Sequence, residues 1–127
     1  MELLPIGKMK EKIHNLIRER EWDKYQSPKN ISMALSIEAS ELLEIFLWLT
    51  EDESWQIKTD PEKIEEIQDE LADVLYWLLL LSDLLNIDLN DAFWNKIKKN
   101  EAKYPIDQCK GSSKKYTEWS TEADRLN

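Results

Sequence analysis

The sequence is short of the residues that cut a chain into many pieces. Its 127 residues include two glycines and four prolines. So few turn formers leave few connections, which favours a handful of long helices over many strands. The single cysteine, Cys109, excludes an internal disulfide and fits a reducing compartment, so a cytoplasmic location is expected. Basic residues are also scarce: 17 Lys and Arg stand against 26 Asp and Glu, a formal net charge of −9. That balance argues against a basic face for polymeric nucleic acid. It leaves room for a small anionic ligand whose charge is met by metal ions. No long apolar run is present. The longest, Val74–Leu81, is far too short to cross a bilayer, so no membrane partner is expected. No basic-then-apolar signal segment opens the chain either.

What is present is helical patterning. The length suits one domain with a modest core. Met9, Ile13, Leu16 and Ile17 share a stripe, predicting a first helix from about Gly7 to Trp22. Ser27-Pro28-Lys29-Asn30 breaks the pattern, and Asn30 is a candidate cap for a second helix from about Ile31 to Leu49. The polar segment Glu51–Thr59 reads as a loop. Asp60-Pro61-Glu62 supplies a cap, a first-turn proline and an acid at the positive end of a third helix, which extends to about Leu85. A fourth runs from about Asp91 to Lys103 and stops before Pro105. The expected fold is all-α: a four-helix, bundle-like subunit with a helical body over 1–105 and a polar tail over 106–127.

Within the second helix the stretch ALSIEASELLEIFLWL (34–49) is apolar yet carries Glu38, Glu41 and Glu44. At about 100° per residue, Ile31, Ala34, Leu35, Leu42, Ile45 and Leu49 all fall within about 60° of Glu38. Glu41 lies about 60° away on the same side, and Glu44 about 120° away. In EEIQDELADVLYWLLLL of the third helix, Ile67, Val74, Trp77 and Leu81 likewise flank Glu70, as do Glu66 and Asp73. Four acids thus stand inside apolar stripes of two helices, where an ionised carboxylate must be paired, protonated or bound to a metal. Lys63 is the one basic residue near those faces. Residues at i and i+3 project side by side, so two such pairs make an oxygen-rich nest for a hard divalent ion such as Mg²⁺. A single ExxE is ordinarily a solvated surface pair; two pairs embedded in apolar stripes are less readily explained that way. A di-iron bundle would need ExxH ligand pairs, and the one histidine, His14, lies on the first helix.

These residues resemble the MazG-like, all-α nucleoside triphosphate pyrophosphohydrolases, most closely the branch containing the dCTP pyrophosphatases. The signature of that family is ExxE followed by ExxD, here Glu38-Ala-Ser-Glu41 and Glu70-Leu-Ala-Asp73. The similarity extends over EREWDKYQSPKN (19–30), EIFLW (44–48), KNEAKYP (99–105) and GSSKKYT (111–117). The resemblance implies Mg²⁺-dependent hydrolysis, with Mn²⁺ as a substitute, of a (deoxy)nucleoside triphosphate to monophosphate and pyrophosphate. It also implies a homodimer or homotetramer and a role in cleaning the nucleotide pool. Glu38, Glu41, Glu70 and Asp73 then match the metal ligands. Trp22 and Trp48 match aromatics of the base pocket, and Trp77 stands where the branch often has a tyrosine against the sugar. Asn100 matches an amide near the nucleotide, with Lys96 one turn before it. Lys114, Lys115 and Tyr116 fall in a tail motif able to reach phosphate from a neighbouring subunit. His14 is one residue out of register with a histidine that some members place beside the base. Trp55, Trp94 and Trp119 read as packing residues.

Self-association also follows from the wheel. Leu43, Leu47, Leu71, Leu75, Leu78 and Leu79 point away from the acids, and a four-helix subunit cannot cover every face of its two central helices. The alternative function is a non-catalytic helical oligomer that binds nucleotides or divalent cations.

Overall fold

The computed structural model describes residues 3–112. Six α-helices and no strand occur among the described residues: α1 (Ile6–Glu19), α2 (Pro28–Phe46), α3 (Glu51–Gln56), α4 (Pro61–Leu84), α5 (Leu89–Lys103) and α6 (Ile106–Cys109). The all-α expectation holds. The chain separates into two compact units with the break between Ile87 and Asp88. Among the described residues no helix is long and apolar enough to cross a membrane.

Local chemistry sets the helix ends of the first unit. Ser27, not Asn30, caps α2: its hydroxyl accepts from the Asn30 N–H at 3.1 Å, with Pro28 in the first turn. The Asn30 side chain instead donates to the Tyr25 carbonyl. Asp60 caps α4 as expected, accepting from the Lys63 N–H at 3.2 Å. The segment expected to be a loop is helical. Thr50 and Glu53 form a reciprocal capping box, and Glu51, Asp52 and Glu53 fill the first turn, where the helix dipole favours acids. A 3₁₀ turn over Ile57–Thr59 then leads to α4.

With glycine so rare, two helices end on non-glycine residues in the left-handed region. After α1, Glu21 has φ 53°, with Glu21 N–H donating to the Arg18 carbonyl and Trp22 N–H to the Ile17 carbonyl. After α4, Asn86 has φ 55°, with Asn86 N–H donating to the Asp83 carbonyl and Ile87 N–H to the Ser82 carbonyl. Both are the paired back-bonds of a Schellman end. The first helix accordingly stops at Glu19, short of Trp22.

α2 packs along α4, and α1 packs on α4 less extensively. The buried core is small: Ile13 and Ile17 from α1, Ile31 from α2, Leu79 and Leu80 from α4. Ser82 is buried with them and donates its hydroxyl to the Leu79 carbonyl at 2.8 Å. Of the leucines expected to need a partner's cover, Leu79 is buried within the subunit. Leu43, Leu47, Leu71 and Leu78 remain exposed.

In the second unit Asp88 caps α5 through the Asp91 N–H. Pro105 stops α5, and one further helical turn follows, closed by the Cys109 thiol donating to the Pro105 carbonyl at 2.8 Å.

Candidate active site

The packing of α2 on α4 settles where the interrupting acids go. Glu38 and Glu41, one turn apart on α2, meet Glu70 of α4. One carboxylate oxygen from each of the three lies within 4.8 Å of the other two. Glu38 and Glu70 are half-buried and Glu41 is exposed. Glu38 Oε2 and Glu70 Oε2 are shielded from solvent and have no hydrogen-bond partner. Orphaned carboxylate oxygens are unusual, because each forfeits its solvation with nothing in return.

The electrostatics follow. The Glu38 carboxyl is pushed up to about 7. Burial is the largest cause, followed by the close approach of the Glu70 and Glu41 carboxyls and by the charges of Asp73 and Glu41. Asp73, the fourth acid expected, is exposed and outside the converging trio. It acts on the cluster through its charge. The donor set is entirely oxygen, with two unpartnered oxygens facing like charges. Such a set fits a hard divalent cation such as Mg²⁺, which would supply the opposite charge that no described residue brings to the trio.

Beside the trio lies a cleft of about 460 Å³ lined by Glu41, Glu44, Ile45, Lys63, Glu66, Asp69 and Glu70. Glu44, about 120° from Glu38 on the wheel and exposed, therefore also borders the cleft. Glu66 and Asp69 extend the acidic wall. Their signal was helical spacing: Glu66 is one turn before Glu70, and Asp69 flanks it. Lys63 donates to Glu66 Oε2 at 3.2 Å.

The other expected site residues are more scattered. Among the described residues none of Trp22, Trp48 and Trp77 lines this cleft. Trp48, just past α2, is 88% exposed. Trp22 is 44% exposed, with the Arg20 guanidinium 5.7 Å from its ring centroid. Trp77 is half-buried and meets Tyr76 edge-on, ring centroids 4.8 Å apart. Trp55 and Trp94, expected to pack, are both mostly exposed; Trp55 lies under the Lys58 ammonium and Trp94 edge-on to Phe93. Lys96 and Asn100 lie on α5 in the second unit, the former exposed and the latter half-buried. Lys114, Lys115, Tyr116 and Trp119 lie outside the described residues. His14 has a structural partner: its Nε2 donates to Asp83 Oδ2, while Lys10 Nζ stands 3.5 Å from Asp83 Oδ1.

A model of the MazG-like family matches residues 33–119, a span that contains both acid pairs. Human dCTP pyrophosphatase 1 is 37% identical over 100 residues, covering 79% of this chain and 59% of the human protein. The mouse protein of that name is 35% identical over the same shares. The chain thus spans less than two thirds of the length of these relatives. A crystal structure of a pyrophosphatase from Archaeoglobus fulgidus matches with a TM-score of 0.74 at 36% identity, covering 83% of this chain and 96% of that one.

Proposed function

The chain belongs to the MazG-like family, and on that premise we propose that it is a Mg²⁺-dependent nucleoside triphosphate pyrophosphohydrolase acting on deoxynucleotides such as dCTP. The observation that carries the proposal is the uncompensated trio Glu38, Glu41 and Glu70, with oxygens within 4.8 Å of one another and two of them orphaned. The dCTP pyrophosphatases among the relatives support the substrate class.

The reaction consumes one water. Its oxygen bonds to the α phosphorus as the bond to the α–β bridging oxygen breaks; the electron pair leaves on pyrophosphate, and the water gives up a proton. A divalent ion bound by the carboxylates would screen the phosphate charge and activate the attacking water. The chain's own part is positional. Glu38 and Glu70, held on two packed helices, would hold the ion together with Glu41, and Asp73 adds its charge to the set. Carrying over the family's pattern, Trp22, Trp48 and Trp77 would contact base and sugar. Asn100, Lys96 and the Lys114–Tyr116 segment would contact nucleotide or phosphate. Leu43, Leu47 and Leu71, exposed in the single subunit, support a homodimer or tetramer.

The test is pyrophosphate release from a panel of nucleoside triphosphates, with and without Mg²⁺, for the parent, Glu41→Gln and Asp73→Asn. The parent should turn over at least one nucleotide only with the metal, and both variants should lose activity by about 10²-fold or more. Full activity in both variants would sink the site, and an inactive parent would sink the function.

A further inference from the structure

We propose that Lys63 is a phosphate-contacting residue of the carboxylate cleft, holding the terminal end of the triphosphate and the pyrophosphate that departs from it. The proposal rests on the function above and adds to it a residue outside the acid pairs and the aromatic and tail positions already considered.

Lys63, Glu66 and Glu70 follow one another at i, i+3 and i+7 on α4. That spacing returns Lys63 to within about 20° of Glu70 and sets the two about 10.5 Å apart along the helix axis. The side chain therefore sits on the same face as the converging carboxylates, two turns nearer the start of the helix. Five of the seven residues lining the cleft are acids, one is Ile45, and the remaining one is Lys63. Among the described residues it is the one cation on that wall. A triphosphate entering there meets carboxylates almost everywhere, so its direct protein contact on this wall is the Lys63 ammonium, whose three N–H donors suit phosphate oxygens.

Two further observations favour a ligand over a structural purpose. The Lys63–Glu66 pair is roughly half exposed on both sides, with side chains 46% and 53% accessible. Exposed pairs of that kind hold weakly, so the ammonium exchanges readily to a doubly charged phosphate. Moreover, Lys63 occupies the first turn of α4, where the helix dipole disfavours a cation. Lys63 also lines the adjoining cleft with Ile45, Leu49, Glu53 and Asp60, so it stands at the border where space for the phosphate tail opens. Because negative charge accumulates on the leaving pyrophosphate as the bond breaks, the contact strengthens towards the transition state.

Calorimetric binding of magnesium pyrophosphate to the full chain tests this, alongside steady-state hydrolysis of dCTP and thermal melting. Lys63→Ala should weaken pyrophosphate binding about tenfold and lower kcat/KM by a similar factor, with an unchanged melting temperature. Lys63→Arg should stay within about threefold of the parent. Glu66→Gln, which frees the ammonium, should bind pyrophosphate at least as tightly as the parent. Equal pyrophosphate affinity in parent and Lys63→Ala overturns the proposal, as does a parent that binds no pyrophosphate. A matched loss of melting temperature in Lys63→Ala and Glu66→Gln, without a selective loss of binding, also overturns it, since the pair would then be structural. A parent that hydrolyses dCTP yet shows any of these overturns the proposal alone. A parent that hydrolyses no nucleotide overturns the function, and this reading with it.

Discussion

Helix α4 carries carboxylates under two opposite regimes. Near its end, Asp83 receives the His14 N–H on one oxygen and the Lys10 ammonium near the other, both from α1, and its carboxyl is held below the usual aspartate range. Hydrogen bonding from His14 is the largest cause, working against burial. Near its middle, Glu70 meets two further acids and, among the described residues, no ion-paired cation, and Glu38 is pushed up to about 7. An acid near a helix C-terminus is disfavoured by the dipole, so Asp83 earns its place only through its two partners. The fold evidently can supply cations to a carboxylate. That, among the described residues, none is paired with Glu38 or Glu70 fits acids that take their counter-charge from a bound ion.

The sharpest way to break this contrast is Glu38→Gln. If the trio exists for a metal, the variant should lose pyrophosphohydrolase activity by about 10³-fold, the effect expected of removing a metal ligand together with its charge. The metal-free variant should nevertheless melt about 2–5 °C higher than the parent at pH 8, because it relieves like-charge repulsion and desolvation. The sign is fixed by the shift. Folding raises the Glu38 carboxyl from 4.5 to about 7, so the folded state binds more protons than the unfolded one between those values. Metal-free parent should lose stability as pH rises through that window and level off above it. Mg²⁺ should abolish the loss in the parent and do little for the variant. A melting temperature that drops in the metal-free variant would show that Glu38 has a structural partner after all.

The acid half of this comparison was legible in the sequence and the clasp was not, for a physical reason. Glu38, Glu41 and Glu70 violate a periodicity that lies within single helices, so each helix announces its own anomaly. The Asp83 clasp exists only once α1 docks on α4, and neither His14 nor Asp83 is anomalous alone. The α3 helix was hidden for a different reason. Its residues form no apolar stripe, and its cause is the local Thr50–Glu53 capping box, which periodicity cannot register. Ser27 and Asn30 are both good caps; Pro28, fit for a first turn and poor elsewhere in a helix, is the residue that favours Ser27. The exposure of Trp48 and Trp55 was illegible because tryptophan content alone does not say which rings pack.

Asp83→Asn probes the other regime. It should destabilise the fold by about 1–2 kcal/mol at pH 7, read by urea unfolding, since it weakens a partly buried carboxylate contact with two donors. Mg²⁺ binding at the trio should be unchanged. The pH sign is opposite to that of Glu38. Asp83 is held below its usual 3.8, so its contribution is present above that value and is lost as pH falls through the folded value. The two clusters therefore pull the stability curve from opposite sides, and the difference between Asp83→Asn and parent should vanish in acid while that between Glu38→Gln and parent should vanish below about 4.5.

The smallest effect tests whether the two regimes are energetically separate. Asn86, at φ 55°, closes α4 three residues after Asp83 through the back-bonds to Asp83 and Ser82. Glycine adopts that conformation without steric cost, although it loses more freedom on folding, so Asn86→Gly should change stability by no more than about 0.5–1 kcal/mol. Because Asn is the side chain that best tolerates the left-handed region, the change belongs at the lower end of that range. In combination with Glu38→Gln the effects should add to within about 0.5 kcal/mol, as they do for sites with no shared partner. Combined with Asp83→Asn they should not, since Asn86 donates to the Asp83 carbonyl and both substitutions act on one helix end. Additivity in both pairs would mean that the clasp and the helix terminus are independent, and non-additivity with Glu38 would mean that strain at the end of α4 reaches the carboxylate centre.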